Sequence, residues 1–331
     1  MLIAVSLIAG IALLWKAADQ FVEGAARLAV MLKISPIVVG AVIVGFGTSA
    51  PEMVVSGIAA TQGDDDLGIG NIIGSNLANL SLILGAAALV VPLTIDSRVL
   101  KKEMPLATGA AIVFAVLVQN GLSVSDGIIF MVLLAAALLF LLLGGGDADE
   151  SIAGEVEELT RDGDHSVGGE LIRTLVGLAG TVAGAWLLVW GATTLAEQLE
   201  INEGFVGVTL VAIGTSLPEL VTAIAAARQK QTDLIVGNLL GSNLFNSLAV
   251  GSVVAFLGDG TIVDPSLTGL DLWFMLAVCI LGGAAMFTRA VLEKAEGTLL
   301  LGVFIGFLIA TWWDESHDAG EALIELSRTL F

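Results

Sequence analysis

The chain has 331 residues, 56% of them hydrophobic and only 14% charged, with a formal net charge of −20. That balance is too apolar for a soluble protein of this length and too acidic to expect a nucleic-acid partner. Ten apolar runs approach the roughly 20 residues needed to cross about 30 Å of hydrocarbon, so the expected fold class is all-α integral membrane, in a lipid bilayer.

The first run, near residues 2–20, lacks a small-residue cleavage site followed by a polar domain and is read as a span rather than a signal peptide. The second, near 36–60, contains IVGFGTSAPEMVVSG (Ile43 to Gly57), which sets Pro51 and Glu52 in an otherwise apolar stretch. The third, near 67–92, contains GNIIGSNLAN, and two plainer runs follow near 104–119 and 124–143. Residues 144–170 then carry nine acids against Arg161 alone and read as a solvated cytoplasmic linker. Five more runs lie near 171–195, 204–227, 233–257, 268–287 and 297–313, ahead of a polar C-terminal tail, 314–331. The seventh contains VAIGTSLPELVTAI (Val211 to Ile224) and the eighth GNLLGSNLFN. Cys279 is the only cysteine, which excludes an intrachain disulfide.

Lys and Arg in short loops stay cytoplasmic. With the N-terminus outside the cell membrane, Arg27 and Lys33, then Arg98, Lys101 and Lys102, then Arg161 and Arg173, Arg228 and Lys230, and Arg289 and Lys294 all fall inside. Asp64, Asp65, Asp66, Asp259 and Asp264 fall outside.

The halves repeat without a gap. Thr48 and Thr215, Glu52 and Glu219, Gly70 and Gly237, and Asn79 and Asn246 are each separated by 167 residues. A repeat of five spans is odd in number, so its second copy enters the membrane from the opposite side. Inverted repeats with a midplane site at their interface are a transporter architecture. The expected organisation is a first five-helix repeat over 1–143, with motifs at 45–57 and 70–79. The linker follows, and then a second repeat over 171–313 with motifs at 212–224 and 237–246.

Each motif carries polar groups into the membrane. Thr48 and Glu52, and Thr215 and Glu219, stand at i and i+4 and so share a helix face. Ser75 with Asn79, and Ser242 with Asn246, repeat the pattern. Pro51 and Pro218 cannot donate to the carbonyls four residues back, which frees Gly47 and Gly214 and breaks the helices at the centre. A buried acid costs about 2.5–3.5 kcal/mol on insertion scales, and neither motif holds a Lys or Arg to offset it. Carboxylates, hydroxyls, amides and carbonyls are hard oxygen ligands, suited to Ca2+, Na+ or Mg2+. A GxxxG such as GNIIG also packs helices closely, so the glycines have a structural reading beside the functional one.

Two copies of G-T-S-x-P-E, each followed by G-N-x-x-G-S-N, resemble the repeats of the sodium/calcium exchanger family, within the cation/calcium exchanger superfamily, across both halves of the chain. The resemblance implies ten transmembrane helices, an external N-terminus, and first and sixth helices that slide past a core of the second, third, seventh and eighth. It implies a central Ca2+ among Thr48, Glu52, Thr215 and Glu219. Flanking Na+ would use Ser75 with the Gly45 carbonyl and Ser242 with the Ala212 carbonyl, with Ser49, Ser216, Asn79 and Asn246 lining the same cavity. The function implied is Na+/Ca2+ antiport by alternating access, with transported ions and no cofactor, and no enzyme activity. Some relatives carry an acid where this chain has Asn246, which argues here against an added K+. A glutamate pair can also be protonated, so H+ coupling is the alternative, and a cation channel a remoter one. An intramembrane peptidase is disfavoured by the lack of HExxH or paired membrane aspartates. The acidic, lysine-poor composition suits a microbial, halophile-like archaeal member with a salt-rich cytoplasm.

Overall fold

The computed structural model describes residues 2–31, 49–95, 99–143, 166–228, 232–289 and 291–330. Its elements in chain order begin with α1 (Leu2–Met31), α2 (Ala50–Gln62), α3 (Asp65–Val90), α4 (Met104–Leu117) and α5 (Val124–Leu143). The second half follows with α6 (Val167–Leu199), α7 (Glu203–Thr215) and α8 (Leu217–Arg228). It continues with α9 (Thr232–Phe245, prolonged by Asn246–Val250 and Gly251–Leu257), α10 (Leu270–Arg289) and α11 (Lys294–Leu330). Two short strands, β1 (Leu93–Thr94) and β2 (Val291–Leu292), pair antiparallel with Leu93 opposite Leu292.

By length and hydropathy, eight described helices can cross a bilayer, or nine if α7 and α8, bent by about 40° at their junction, count as one broken span. Of the expected second span, 36–60, residues 36–48 lie outside the described residues, as do residues 144–165 of the expected linker. Val167–Glu170, expected in that linker, already form the first turn of α6, capped by Ser166, whose hydroxyl accepts from Gly169 N at 3.1 Å. Helix α11 runs on through the expected polar tail to Leu330.

The sequence offset reappears in the backbone. Helix α2 begins at Ala50 and α8 at Leu217, and both α3 and α9 widen into a π turn, at Asn79–Ile83 and Asn246–Val250. A π turn inserts one residue and shifts the helix face that follows, a device common at functional sites.

Helices α3 and α9 form the centre, with 83% of each hydrophobic window buried, against 33% in α1 and 44% in α6. The main apolar core joins α3, α4, α5 and α8 to α11. A smaller cluster joins α1 and α6 to α2, α3 and α7 through Leu14, Val55, Leu67, Leu188, Val206 and Val211. Exposed apolar side chains such as Ile8, Val132, Phe140, Trp186, Leu281 and Ile309 form the lipid-facing surface expected of a multi-pass membrane protein.

Glycines fix two close approaches. A Cβ on Gly10 would lie 2.8 Å from Leu188 N, and one on Gly184 2.6 Å from Leu14 N. Further along, Gly180 meets Ala17, Gly177 meets Phe21 and Gly24 meets Thr174, so contacts ascending α1 descend α6 and the two helices run antiparallel. In α3, a Cβ on Gly70 would meet the Gly204 carbonyl at 2.5 Å and one on Gly74 the Ala212 Cβ at 2.5 Å. The structural reading of GNIIG therefore holds for its glycines: they admit the α7 backbone.

The acids after α2 have a structural use as well. Asp65 accepts from Gly260 N at 2.7 Å, and Asp66 from Val263 N and Asp264 N at 3.0 and 2.7 Å, so both carboxylates fasten the loop between α9 and α10. Burial, with the nearby Glu197 charge, raises the carboxyl pKa of neighbouring Asp64 against the lowering effect of a hydrogen bond from Glu203.

Candidate ion-binding site

Proline marks two helix starts. Pro51 and Pro218 stand in the first turns of α2 and α8, where a missing N–H costs least, and the chain turns at Ser49 and Ser216 just before them. Each helix start carries a serine and a glutamate, Ser49 with Glu52 and Ser216 with Glu219. All four are buried, with Glu52 at 0% and Glu219 at 1% exposure.

The halves interlock through these side chains. Ser216 donates to Glu52 Oε1 at 3.3 Å, and the Ser49 and Ser242 hydroxyls lie 3.2 Å apart. Asn79 Nδ2 donates to Ser242 at 3.2 Å and to Asn243 Oδ1 at 2.8 Å, while Asn243 Nδ2 donates to the Asn76 carbonyl at 3.0 Å. Thr215 Oγ1 lies 3.1 Å from Asn71 Oδ1 and 3.2 Å from the Ala212 carbonyl, and Ser75 donates to the same Asn71 oxygen at 3.5 Å. The Ala212 carbonyl also accepts Ser216 N at 3.1 Å. Of the twelve residues singled out in the sequence, Gly45 and Thr48 lie outside the described residues. Glu52, Ser75, Ala212, Thr215 and Ser216 are joined by one set of these bonds, and Ser49, Asn79 and Ser242 by another.

Several buried polar atoms near these bonds lack partners. Glu52 Oε2, both carboxylate oxygens of Glu219, Asn79 Oδ1 and both amide atoms of Asn246 are buried without a hydrogen-bond partner. An unsatisfied buried carboxylate oxygen is expensive, and a cluster of such oxygens suits a positively charged occupant. Among the described residues, no three Asp, Glu, His or Cys side chains converge on one point, so the acceptor set is two carboxylates among neutral oxygens.

Sequence reasoning did not single out Asn71, Asn76, Asn243, Ser56 or Ser247, although all are buried in or beside this network. The signal was present for one of them, since the i, i+4 step joining Ser75 to Asn79 reaches Asn71 one turn earlier.

Comparisons with known proteins bear on the chain as a whole. The family described as sodium/calcium exchanger protein matches residues 2–143 and 170–313. The inner membrane protein YrbG of Escherichia coli is 37% identical over 321 residues, covering 95% of this chain and 98% of its own. The sodium/calcium exchanger MaX1 of Methanosarcina acetivorans is 29% identical, over 93% of this chain and 97% of its own. The solved structure of the sodium-calcium exchanger NCX_Mj superposes with a TM-score of 0.62 at 28% identity, covering 92% of this chain and 97% of that one. With its family pattern matched in both halves, this chain belongs to the sodium/calcium exchanger family of membrane antiporters, transporters rather than enzymes.

Proposed function

We propose that the protein exchanges Na+ for Ca2+ across the cell membrane by alternating access at the crossing of α3 and α9. The observation that carries this reading is the pair of buried glutamates whose orphaned oxygens, among the described residues, have no cationic side chain beside them. Two formal negatives match one Ca2+ and can equally be met by Na+. Glu52 and Glu219 are the central ligands, with Thr48 and Thr215. Ser75 and the Gly45 carbonyl serve one flanking Na+, and Ser242 and the Ala212 carbonyl the other. Ser49, Ser216, Asn79 and Asn246 complete the lining.

The same reading takes the chain as ten helices in two inverted five-helix repeats with the N-terminus outside. The antiparallel course of α1 and α6, the first helix of each half, supports the inversion, and the recurrence of the π turns at the sequence offset supports the repeat. Domain bounds follow at 1–143, 144–170, 171–313 and 314–331, with residues 167–170 drawn into α6.

Proton coupling is the second reading, and one observation favours it: Glu52 and Glu219 are both buried, at 0% and 1% exposure, and a buried carboxylate can be neutralised by a proton as well as by a metal cation. Ca2+ flux in proteoliposomes under imposed Na+, K+ or H+ gradients, each varied alone, separates the two. Uptake driven by Na+ alone is expected. Uptake that follows only a pH gradient replaces Na+ by H+, and flux needing no trans counter-ion replaces the antiporter by a channel.

A further inference from the structure

We infer that Asn71 is a positioning residue for the ion site, orienting the Thr215 and Ser75 hydroxyls so that their lone pairs are left for a cation. The inference rests on the proposal that those two hydroxyls are ion ligands.

Buried asparagines in this molecule divide by how their amides are used. Asn79 keeps its Oδ1 without a donor, and Asn246 keeps both amide atoms without partners. Asn71, at 0% exposure, uses every bond its amide can make. Its Oδ1 faces Thr215 Oγ1 at 3.1 Å and accepts from Ser75 at 3.5 Å. Its Nδ2 donates to Ser56 Oγ at 3.0 Å and to the Glu52 carbonyl at 3.4 Å. A hydroxyl has one proton and two lone pairs. A cation ligand must therefore dispose of its proton elsewhere, and Asn71 Oδ1 offers one place for both hydroxyls.

The donor side fixes where that acceptor stands. Ser56, held by its own bond to the Gly68 carbonyl at 3.2 Å, anchors Nδ2, and the contact with the Glu52 carbonyl ties Asn71 to the turn carrying the carboxylate. Asn71 thus links the first repeat's glutamate and serine to the second repeat's threonine, 144 residues away. Without it, the Thr215 proton turns to the Ala212 carbonyl of its own helix, which also accepts Ser216 N, or to the Glu52 carboxylate, where it competes with a cation. The sequence offset places Ala223 opposite Ser56 in the second half, so the hydroxyl anchor of this amide belongs to the first repeat alone.

Two variants separate orientation from stapling. Asn71→Ala removes acceptor and donors together, whereas Asn71→Asp keeps acceptor oxygens for the two hydroxyls and loses the Nδ2 donors. Two readouts are followed: the Ca2+ KM for Na+-driven uptake, and the Ca2+-dependent rise in unfolding temperature in detergent, which reports binding without transport. Asn71→Ala should raise the Ca2+ KM about tenfold, the effect of one to two lost hydrogen bonds. In a Thr215→Val/Ser75→Ala background, the same change should add less than about twofold, because coupled residues are not additive. Asn71→Asp, which keeps the acceptor but loses its anchor, should raise the KM by less than about threefold.

Equal effects of Asn71→Ala in both backgrounds, or an equal rise in KM from Asn71→Asp, would overturn the inference and leave Asn71 a staple between α2 and α3. Should Asn71→Ala fail to fold, Asn71→Asp decides alone. A wild type that binds Ca2+ but does not exchange it for Na+ sinks the transport reading instead, and the binding readout still tests Asn71.

Discussion

Helices α1 and α6 and helices α3 and α9 are both antiparallel or crossing pairs drawn from corresponding places in the two halves, yet they are joined by different physics. The α1–α6 seam is glycine against backbone, with Gly10, Gly177, Gly180 and Gly184 letting the helices touch. The pair meets the other helices through a small apolar cluster. The α3–α9 crossing is instead held by directional bonds among Asn76, Asn79, Asn243 and Ser247, all buried. Apolar packing has no preferred register finer than a side chain, so such a surface can shear, whereas an amide network breaks if it moves. Motion is therefore expected at the face of the α1–α6 pair, and rigidity at the crossing that presents the glutamates.

One end of the α1–α6 pair adds a further device. Where α1 finishes and α6 begins, Arg27 lies 3.1 Å from Glu23 and 3.7 Å from Glu170, and Arg173 lies against Glu23 and 3.9 Å from Glu170. At the other end, the Ser6 hydroxyl donates to the Leu187 carbonyl at 2.7 Å. These contacts favour α1 and α6 moving as one body.

The contrast can be broken first at the site that the rigid crossing presents. Glu52→Gln or Glu219→Gln should abolish Ca2+ transport while leaving the unfolding temperature in detergent equal or higher, since removing a buried charge relieves an insertion cost. Near-normal exchange in either variant would mean that the carboxylates are not the ligands. Thr215→Val should raise the Ca2+ KM about tenfold, whereas Thr61→Val, whose exposed hydroxyl bonds only the Ile58 carbonyl at 2.7 Å, should leave it unchanged. Equal effects would make the Thr215 hydroxyl a packing group.

Asn243→Ala tests the amide lock. It removes the acceptor of Asn79 and the donor to the Asn76 carbonyl, and should lower stability by about 1–3 kcal/mol through the buried groups left unpaired. Gly184→Val tests the seam: it forces a branched side chain against Leu14 N and should cost about 1–3 kcal/mol by overpacking. The two should differ in transport. Asn243→Ala should raise the KM by displacing Asn79, and Gly184→Val should lower the maximal rate with the KM unchanged. Finally, Arg173→Gln should cost under about 1 kcal/mol, because the ion pairs are partly exposed. A larger loss would make the charge cluster, and not the glycine seam, the principal bond between α1 and α6.

Much of this was open to reading in the linear chain. An acid in an apolar run is costly wherever the run packs, and a duplicated acid at a constant spacing cannot be incidental, so Glu52 and Glu219 stood out without any coordinates. Proline at the break and glycine in GNIIG act through their own backbone, and their local effects were visible for the same reason. Helix α11 was less legible, because the polarity of residues 314–331 reports the end of the hydrocarbon and not the end of the helix.

Composition, period and insertion cost are local quantities, and from them alone the sequence determined that this is a multi-pass membrane protein with a duplicated, acid-bearing core. Only the tertiary structure decided which polar group meets which. That Asn71 takes Thr215 as well as Ser75 of its own helix, that Asn79 bonds Asn243 and leaves its oxygen without a donor, and that Asp65 and Asp66 hold a loop nearly 200 residues away all depend on how α3 crosses α7 and α9. Hydrogen bonds depend on angstrom-scale geometry between distant segments, and no periodicity along the chain records it.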